Sequence, residues 1–132
     1  MKAEPVVYVS TWQIKPGTFD DYVRFYAELV RIVRENEPRV VAFLAFANDN
    51  LTELTNVHVY PDGATLDSHM AVIGEQMRLL PDDLTALTAS LEPVRIIVLG
   101  SPSGAAAQMD DGLREAGVPF DVKSRYLGGF TR

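Results

Sequence analysis

Apolar positions along this chain follow two rhythms, period two and period three to four, and they alternate so as to lay out two similar β-α-β units. Val6 to Ile14 is rich in β-branched and aromatic residues and stops at Lys15-Pro16-Gly17, which predicts a first strand. Phe19, Tyr22, Val23, Tyr26, Val30 and Val33 then fall at helical spacing behind Thr18 as N-cap, with Asp20 and Asp21 in the first turn. Pro38 cannot continue that helix, so it ends near Asn36. Arg39 to Ala47 reads as strand two, Asn48-Asp49-Asn50 as a turn, and Thr52 to Tyr60 as strand three, a hairpin. After Pro61-Asp62-Gly63, the residues Leu66, Met70, Ile73, Met77 and Leu80 form the stripe of helix two. A short helix restarts at Pro81-Asp82-Asp83 with Leu84, Leu87, Thr88 and Leu91 on one face, and Pro93 opens strand four, Val94 to Leu99.

This order is the split βαβ, ferredoxin-like α+β arrangement: a four-stranded antiparallel sheet with both helices on one face. An antiparallel sheet with a wet second face alternates apolar with polar. Strands one and two do not: Val7 and Val9 alternate with Tyr8 and Trp12, and Val41 and Phe43 with Leu44 and Phe46. The bare face therefore calls for a cover, and the simplest is a second copy of the same sheet, a homodimer through sheet faces. Residues 1–100 make this domain, and residues 101–132 are a C-terminal helix-strand extension. In the extension, Ala105, Met109, Leu113 and Ala116 predict a helical face and Gly117 its cap. Val118, Phe120 and Val122 then predict an amphipathic edge strand. Such a tail finishes a sheet edge, its own or a partner's, with the partner's preferred.

At 132 residues the chain is one domain's worth and long enough for a core without staples. It has no cysteine, which excludes disulfides and thiolate metal sites. A net charge of −6 argues against a nucleic-acid partner, since counterion release needs a basic face. Neither a signal peptide nor a membrane-length apolar run is visible, so a cytoplasmic protein is expected.

Both histidines and an aromatic cluster around one strand-to-helix corner: His58, Tyr60 and His69. Asn56, His58 and Tyr60 share one face of strand three by period two, and an amide beside an imidazole does not suit a dry core. They form either a polar pocket wall or a hydrogen-bonded dimer seam, and the sequence does not say which face meets the helices. Tyr8, Ser10 and Trp12 share one face of strand one, as core aromatics around a satisfied serine or as part of that pocket. His69 lies four residues before Ile73, at the border of the helix-two stripe, either bonded to a nearby carbonyl or serving the site. A metal set of His58, His69 and Asp62 or Asp67 has no support in the spacing, and none is expected. Gly100 to Gly104 reads as a structural loop capped by Ser103, while Asp82-Asp83 and Asp110-Asp111 read as helix-start and solvated charges.

Three places in the chain carry a resemblance: Lys15-Pro16-Gly17 after strand one, Glu37-Pro38 after helix one, and Tyr60 through His69. Over roughly Val6 to Leu99 the chain resembles the antibiotic biosynthesis monooxygenase-like group of dimeric α+β barrels. In that group the corner reads as a Glu, an aromatic two residues later, a turn residue, and a His eleven residues after the Glu. Tyr60 and His69 match, and His58 stands at the Glu position. The haem-degrading branch is a poor match, because strand one has no Asn and helix two has no Trp.

The resemblance implies a pocket between sheet and helices and a cofactor-independent monooxygenase acting on a small aromatic, a quinol or phenol, with no cofactor. His69 and His58 are then the catalytic candidates, and Trp12, Asn56, Tyr60, Tyr8 and Ser10 the substrate-binding ones. An imidazole suits the removal of a phenolic proton near neutrality. The alternative is a non-catalytic dimer of the same fold that binds a small apolar or aromatic ligand.

Overall fold

The structure is a computed structural model that describes residues 4–89 and 91–132. Its strands are β1 (Val6–Gln13), β2 (Ala42–Ala47), β3 (Glu53–Tyr60), β4 (Glu92–Leu99) and β5 (Phe120–Lys123). Its α-helices are α1 (Phe19–Asn36), α2 (Gly63–Gln76), α3 (Asp82–Ala89) and α4 (Gly104–Glu115). A 3₁₀ turn, Met77–Leu79, links α2 to α3. The sheet order is β2-β3-β1-β4-β5, with the first four strands antiparallel and β5 parallel to β4. The ferredoxin-like arrangement expected from the hydrophobic rhythm is therefore present. β1 and β3 are the central strands of the original four.

The register settles which residues share the helix side. Tyr8 lies opposite His58 and Val98, Ser10 opposite Asn56 and Ile96, and Val6 opposite Tyr60. Tyr8, Tyr60 and Val98 pack with Leu66 of α2 and Ala106 of α4. A second cluster joins Ile14 and Leu54 to Tyr22 and Phe25 of α1, with Leu84 and Leu87 of α3 against it. All four helices thus lie on one face, over Tyr8, Ser10, Trp12, Asn56, His58 and Tyr60. These six are not a seam on the open face. At Trp12 the register slips, pairing Trp12 with Pro93 and Thr11 with Arg95, so Val94 is bulged out. Proline has no N–H for the ladder, which makes a bulge the natural neighbour of Pro93.

The opposite face is apolar, and no helix of the described residues lies over it. Val7 pairs with Val59 and Leu99, Val9 with Val57 and Ile97, and Leu44 with Val57. Leu44 is 47% and Phe46 64% exposed there.

Four expectations for the extension are corrected. β5 finishes the edge of its own sheet, along β4, rather than a partner's. The helix α4 is also turned by about one residue from the face read in the sequence. Ala106 and Asp110 are buried, whereas Met109 is 47% exposed. The reason is a polar demand from the sheet: the Tyr8 hydroxyl donates to Asp110 Oδ2 at 2.8 Å in the core. A buried hydroxyl needs an acceptor, and the rotated helix supplies one. Asp110 is therefore no solvated charge. Ser103 occupies the N-cap of α4, yet its side chain makes no capping bond.

Candidate functional site

The site grows from the two ends of helices that meet beside β3. Helix α1 runs without interruption to Asn36, and Glu37 forms its C-cap, its N–H donating to Val33 O. Pro38 stops the helix there and fixes where that carboxylate hangs. Helix α2 starts behind Asp62, whose side chain accepts from the Thr65 N–H at 2.7 Å. That cap sets the phase of α2 and turns His69 inward, where it is only 8% exposed.

The two elements bring Glu37 and His69 together. His69 Nδ1 lies 3.0 Å from each Glu37 carboxylate oxygen, and Glu37 is 7% exposed. A carboxylate only accepts, so Nδ1 carries the proton, and in neutral His69 Nε2 is the acceptor nitrogen. Burial pushes the His69 pKa below the ordinary imidazole value, while the Glu37 charge and its hydrogen bond oppose that shift. The sequence reading missed this carboxylate. It named Glu37-Pro38 only as a carrier of the resemblance after helix one and gave Glu37 no role in the site, since 32 residues separate it from His69.

Rings enclose the pair. Tyr60 meets His69 at 5.1 Å between centroids and Phe43 meets it at 5.7 Å, both tilted. His58 stacks on Phe43 at 3.8 Å and its Nε2 lies 3.3 Å from the Tyr26 hydroxyl. Burial, followed by the nearby His69, pulls the His58 pKa down to about 3, so this imidazole is neutral at pH 7. Burial also raises the Tyr26 and Tyr60 phenols, with Glu37 adding to the rise at Tyr60.

The remaining candidates divide. Burial raises the Tyr22 phenol, and the Asn56 side chain beside it works against that shift. Its Oδ1 is buried with no partner among the described residues. Trp12 packs on both core clusters, and Ser10 stands opposite Asn56. Tyr8, although opposite His58, commits its hydroxyl to Asp110 and belongs to the core. Tyr22, Tyr26 and Phe43 join the site without having been singled out from sequence. Helical or strand spacing made each look like ordinary core.

Two open clefts flank the Glu37-Pro38 corner. One, of about 340 Å³, lies between the end of α1 and the start of α2. Arg39 stands over it, bonded to Asp62 at 2.7 Å and to Thr65 Oγ1 at 3.2 Å. The other, of about 410 Å³, lies between α1 and β2. Among the described residues no three metal-ligating side chains come together, and no helix is long and apolar enough to cross a membrane.

Comparison with solved structures puts this arrangement in context. Chains from three organisms are similar in fold over most of this chain. MupZ from Pseudomonas fluorescens superposes with a TM-score of 0.65 at 16% identity, covering 96% of this chain and 95% of that one. SnoaB, a cofactor-independent oxygenase from Streptomyces nogalater, gives 0.58 at 16% identity, over 78% of this chain and 98% of that one. A Caulobacter crescentus CB15 protein provisionally named an antibiotic biosynthesis monooxygenase gives 0.55 at 17% identity, over 76% and 92%.

The chain has the antibiotic biosynthesis monooxygenase fold.

No protein-family model and no curated protein matches the sequence. Against others of the antibiotic biosynthesis monooxygenase fold, the MupZ superposition is long enough to include most of the extension that carries α4 and β5.

Proposed function

We propose that this protein is a cofactor-independent monooxygenase of a small electron-rich aromatic, a quinol or phenol. The observation that carries the reading is the buried Glu37–His69 pair, with both carboxylate oxygens on Nδ1. In this chemistry the deprotonated substrate itself passes electrons to dioxygen, so the protein supplies a base, hydrogen-bond partners and a dry cavity. His69 Nε2 takes the phenolic proton, and Glu37 stabilises the imidazolium that results. His58 is too weak a base for that step and acts instead as a neutral hydrogen-bonding wall beside Tyr26. Asn56, Trp12 and Ser10 orient the ring, with the unpaired Asn56 Oδ1 accepting from a substrate hydroxyl. The likeness in fold to SnoaB supports an oxygenase.

The working unit in this reading is a pair of chains joined through the apolar sheet face of Val7, Val9, Val57 and Leu44. Helices already cover the inner face, and exposed Leu44 and Phe46 gain most from a second sheet.

Oxygen uptake with a panel of hydroquinones tests the enzyme, with wild type set against His69→Ala and Glu37→Gln. Uptake that falls at least tenfold in both variants is expected, and equal uptake in all three removes the dyad from the chemistry. A second reading, a non-catalytic binder of small aromatics, draws on the close filling of the site by rings, above all the 3.8 Å stack of Phe43 on His58. Trp12 is the sole tryptophan, so quenching of its fluorescence by a hydroquinone without oxygen uptake selects that reading.

A further inference from the structure

Glu37 and His69 reach each other from the end of one helix and the opening of another, and a single side chain spans the gap between those ends. Glu37 opens a tight turn, in which the Val40 N–H donates to Glu37 O at 3.2 Å with Pro38 and Arg39 between them. A proline in the second place of such a turn fixes its backbone. Arg39 is therefore tied to Glu37 through a short, stiff stretch of chain.

From that turn the Arg39 side chain crosses the cleft of about 340 Å³ to the start of α2. Its Nη2 donates to Asp62 Oδ2 at 2.7 Å and its Nε to Thr65 Oγ1 at 3.2 Å. Asp62 Oδ1 accepts from the Thr65 N–H, the cap that orients α2, and His69 stands about one turn further along. Arg39 is 69% exposed, and an ion pair so wet contributes little to stability. Its reach sets it apart. The other arginine and lysine ion pairs among the described residues join partners two to four apart in sequence, whereas this one joins partners 23 apart.

We propose that Arg39 is a positioning residue, which holds Glu37 against His69 Nδ1 by clamping the end of α1 to the start of α2. This rests on the reading above in taking the carboxylate–imidazole pair as the working part of the site. Nitrogen NMR of the His69 ring reads the contact without any substrate. A carboxylate on Nδ1 fixes the proton there, and its charge favours the imidazolium. The other titratable groups facing His69 are His58 and Tyr60 of β3, while Phe43 of β2 carries no charge. His58 is held near a pKa of about 3 and the Tyr60 phenol well above its ordinary value, so neither changes charge near neutrality.

Arg39→Gln breaks the clamp from one side. Asp62→Asn breaks it from the other and still caps α2, because Asn caps as well as Asp while its amide nitrogen, which cannot accept, faces Arg39. Charges acting only through space give opposite results: loss of the cation raises the His69 pKa, and loss of the anion lowers it. A clamp gives the same result in both variants. Each should lose the fixed Nδ1–H tautomer and titrate lower by about half a pH unit or more, with the double variant no worse than either. Arg39→Lys, which keeps the charge without the fork, should recover only part. Arg31→Gln, which breaks exposed ion pairs within α1, should leave the ring unchanged. Shifts in opposite directions, or an unaltered tautomer in both Arg39→Gln and Asp62→Asn, overturn the proposal. Oxygen uptake on the same variants should show a lowered kcat with KM unchanged. A wild type that takes up no oxygen removes the oxygenase reading and leaves the clamp to be decided by the NMR result.

Discussion

Acid should weaken this protein through His58, and the size of the effect follows from where the ring is held. The folded chain holds His58 at a pKa of about 3, because burial between Phe43 and Tyr26 penalises the imidazolium. The unfolded chain has the ordinary value of about 6.5. Above pH 6.5 both states are neutral and His58 adds no pH dependence. Below it, the unfolded chain gains a proton that the folded chain refuses, so stability falls with pH down to about 3, where the folded ring also protonates. The slope is about 1.4 kcal/mol per pH unit, so between pH 7 and pH 5 the loss is about 2 kcal/mol.

His58→Phe keeps a flat ring on Phe43 and removes the ionisable group. Urea unfolding of both proteins at pH 7, 6 and 5, at one chain concentration, isolates the term. His69 and the carboxylates titrate in both proteins, so their contributions largely cancel in the difference. The wild type should lose about 2 kcal/mol more than His58→Phe over that range. If the two stability curves run parallel within about 0.5 kcal/mol, His58 is not held neutral by burial and the sealed wall of the site is wrong.

Two other substitutions probe the rest of the structure. Tyr8→Phe takes from the carboxylate of Asp110, a 3%-exposed residue, its only hydrogen bond among the described residues and should cost about 1–3 kcal/mol by chemical denaturation. The Tyr8→Phe/Asp110→Leu double variant should recover part of that cost, and simple additivity of the two losses contradicts a coupled pair. Leu44→Asp on the apolar outer face should shift the assembly toward monomer in sedimentation velocity while leaving circular dichroism unchanged. A monomeric profile for wild type and variant alike refutes the sheet-paired assembly.

The parts of this structure that could be read from sequence are those fixed by neighbours in the chain. Periodicity, with Thr18 ahead of it and Pro38 as its stop, placed α1 from Phe19 to near Asn36, and strict alternation in β1 and β3 grouped Tyr8 with Ser10 and Asn56 with His58. The side of the sheet that meets the helices was not legible, because both faces of β1 are apolar and only packing tells them apart. Asp110 misled for a related reason. Two adjacent acids look like a surface, and nothing local reports a tyrosine hydroxyl 102 residues earlier that needs an acceptor. Glu37 was hidden in the same way, since its partner His69 belongs to another helix. The spacing placed His69 only at the border of the α2 stripe, and its burial against a carboxylate rather than a carbonyl is visible only in the fold.

The placement of Glu37 at the very tip of α1 has a consequence for how this chain can change. The helix works as a ruler: each residue inserted or removed ahead of Glu37 swings its carboxylate by about 100° and shifts it by about 1.5 Å. The span from Phe19 to Asn36 cannot drift by one residue without turning the acid away from the imidazole. The distance between that helix's start and its proline stop is thus as much a part of the site as the side chains themselves.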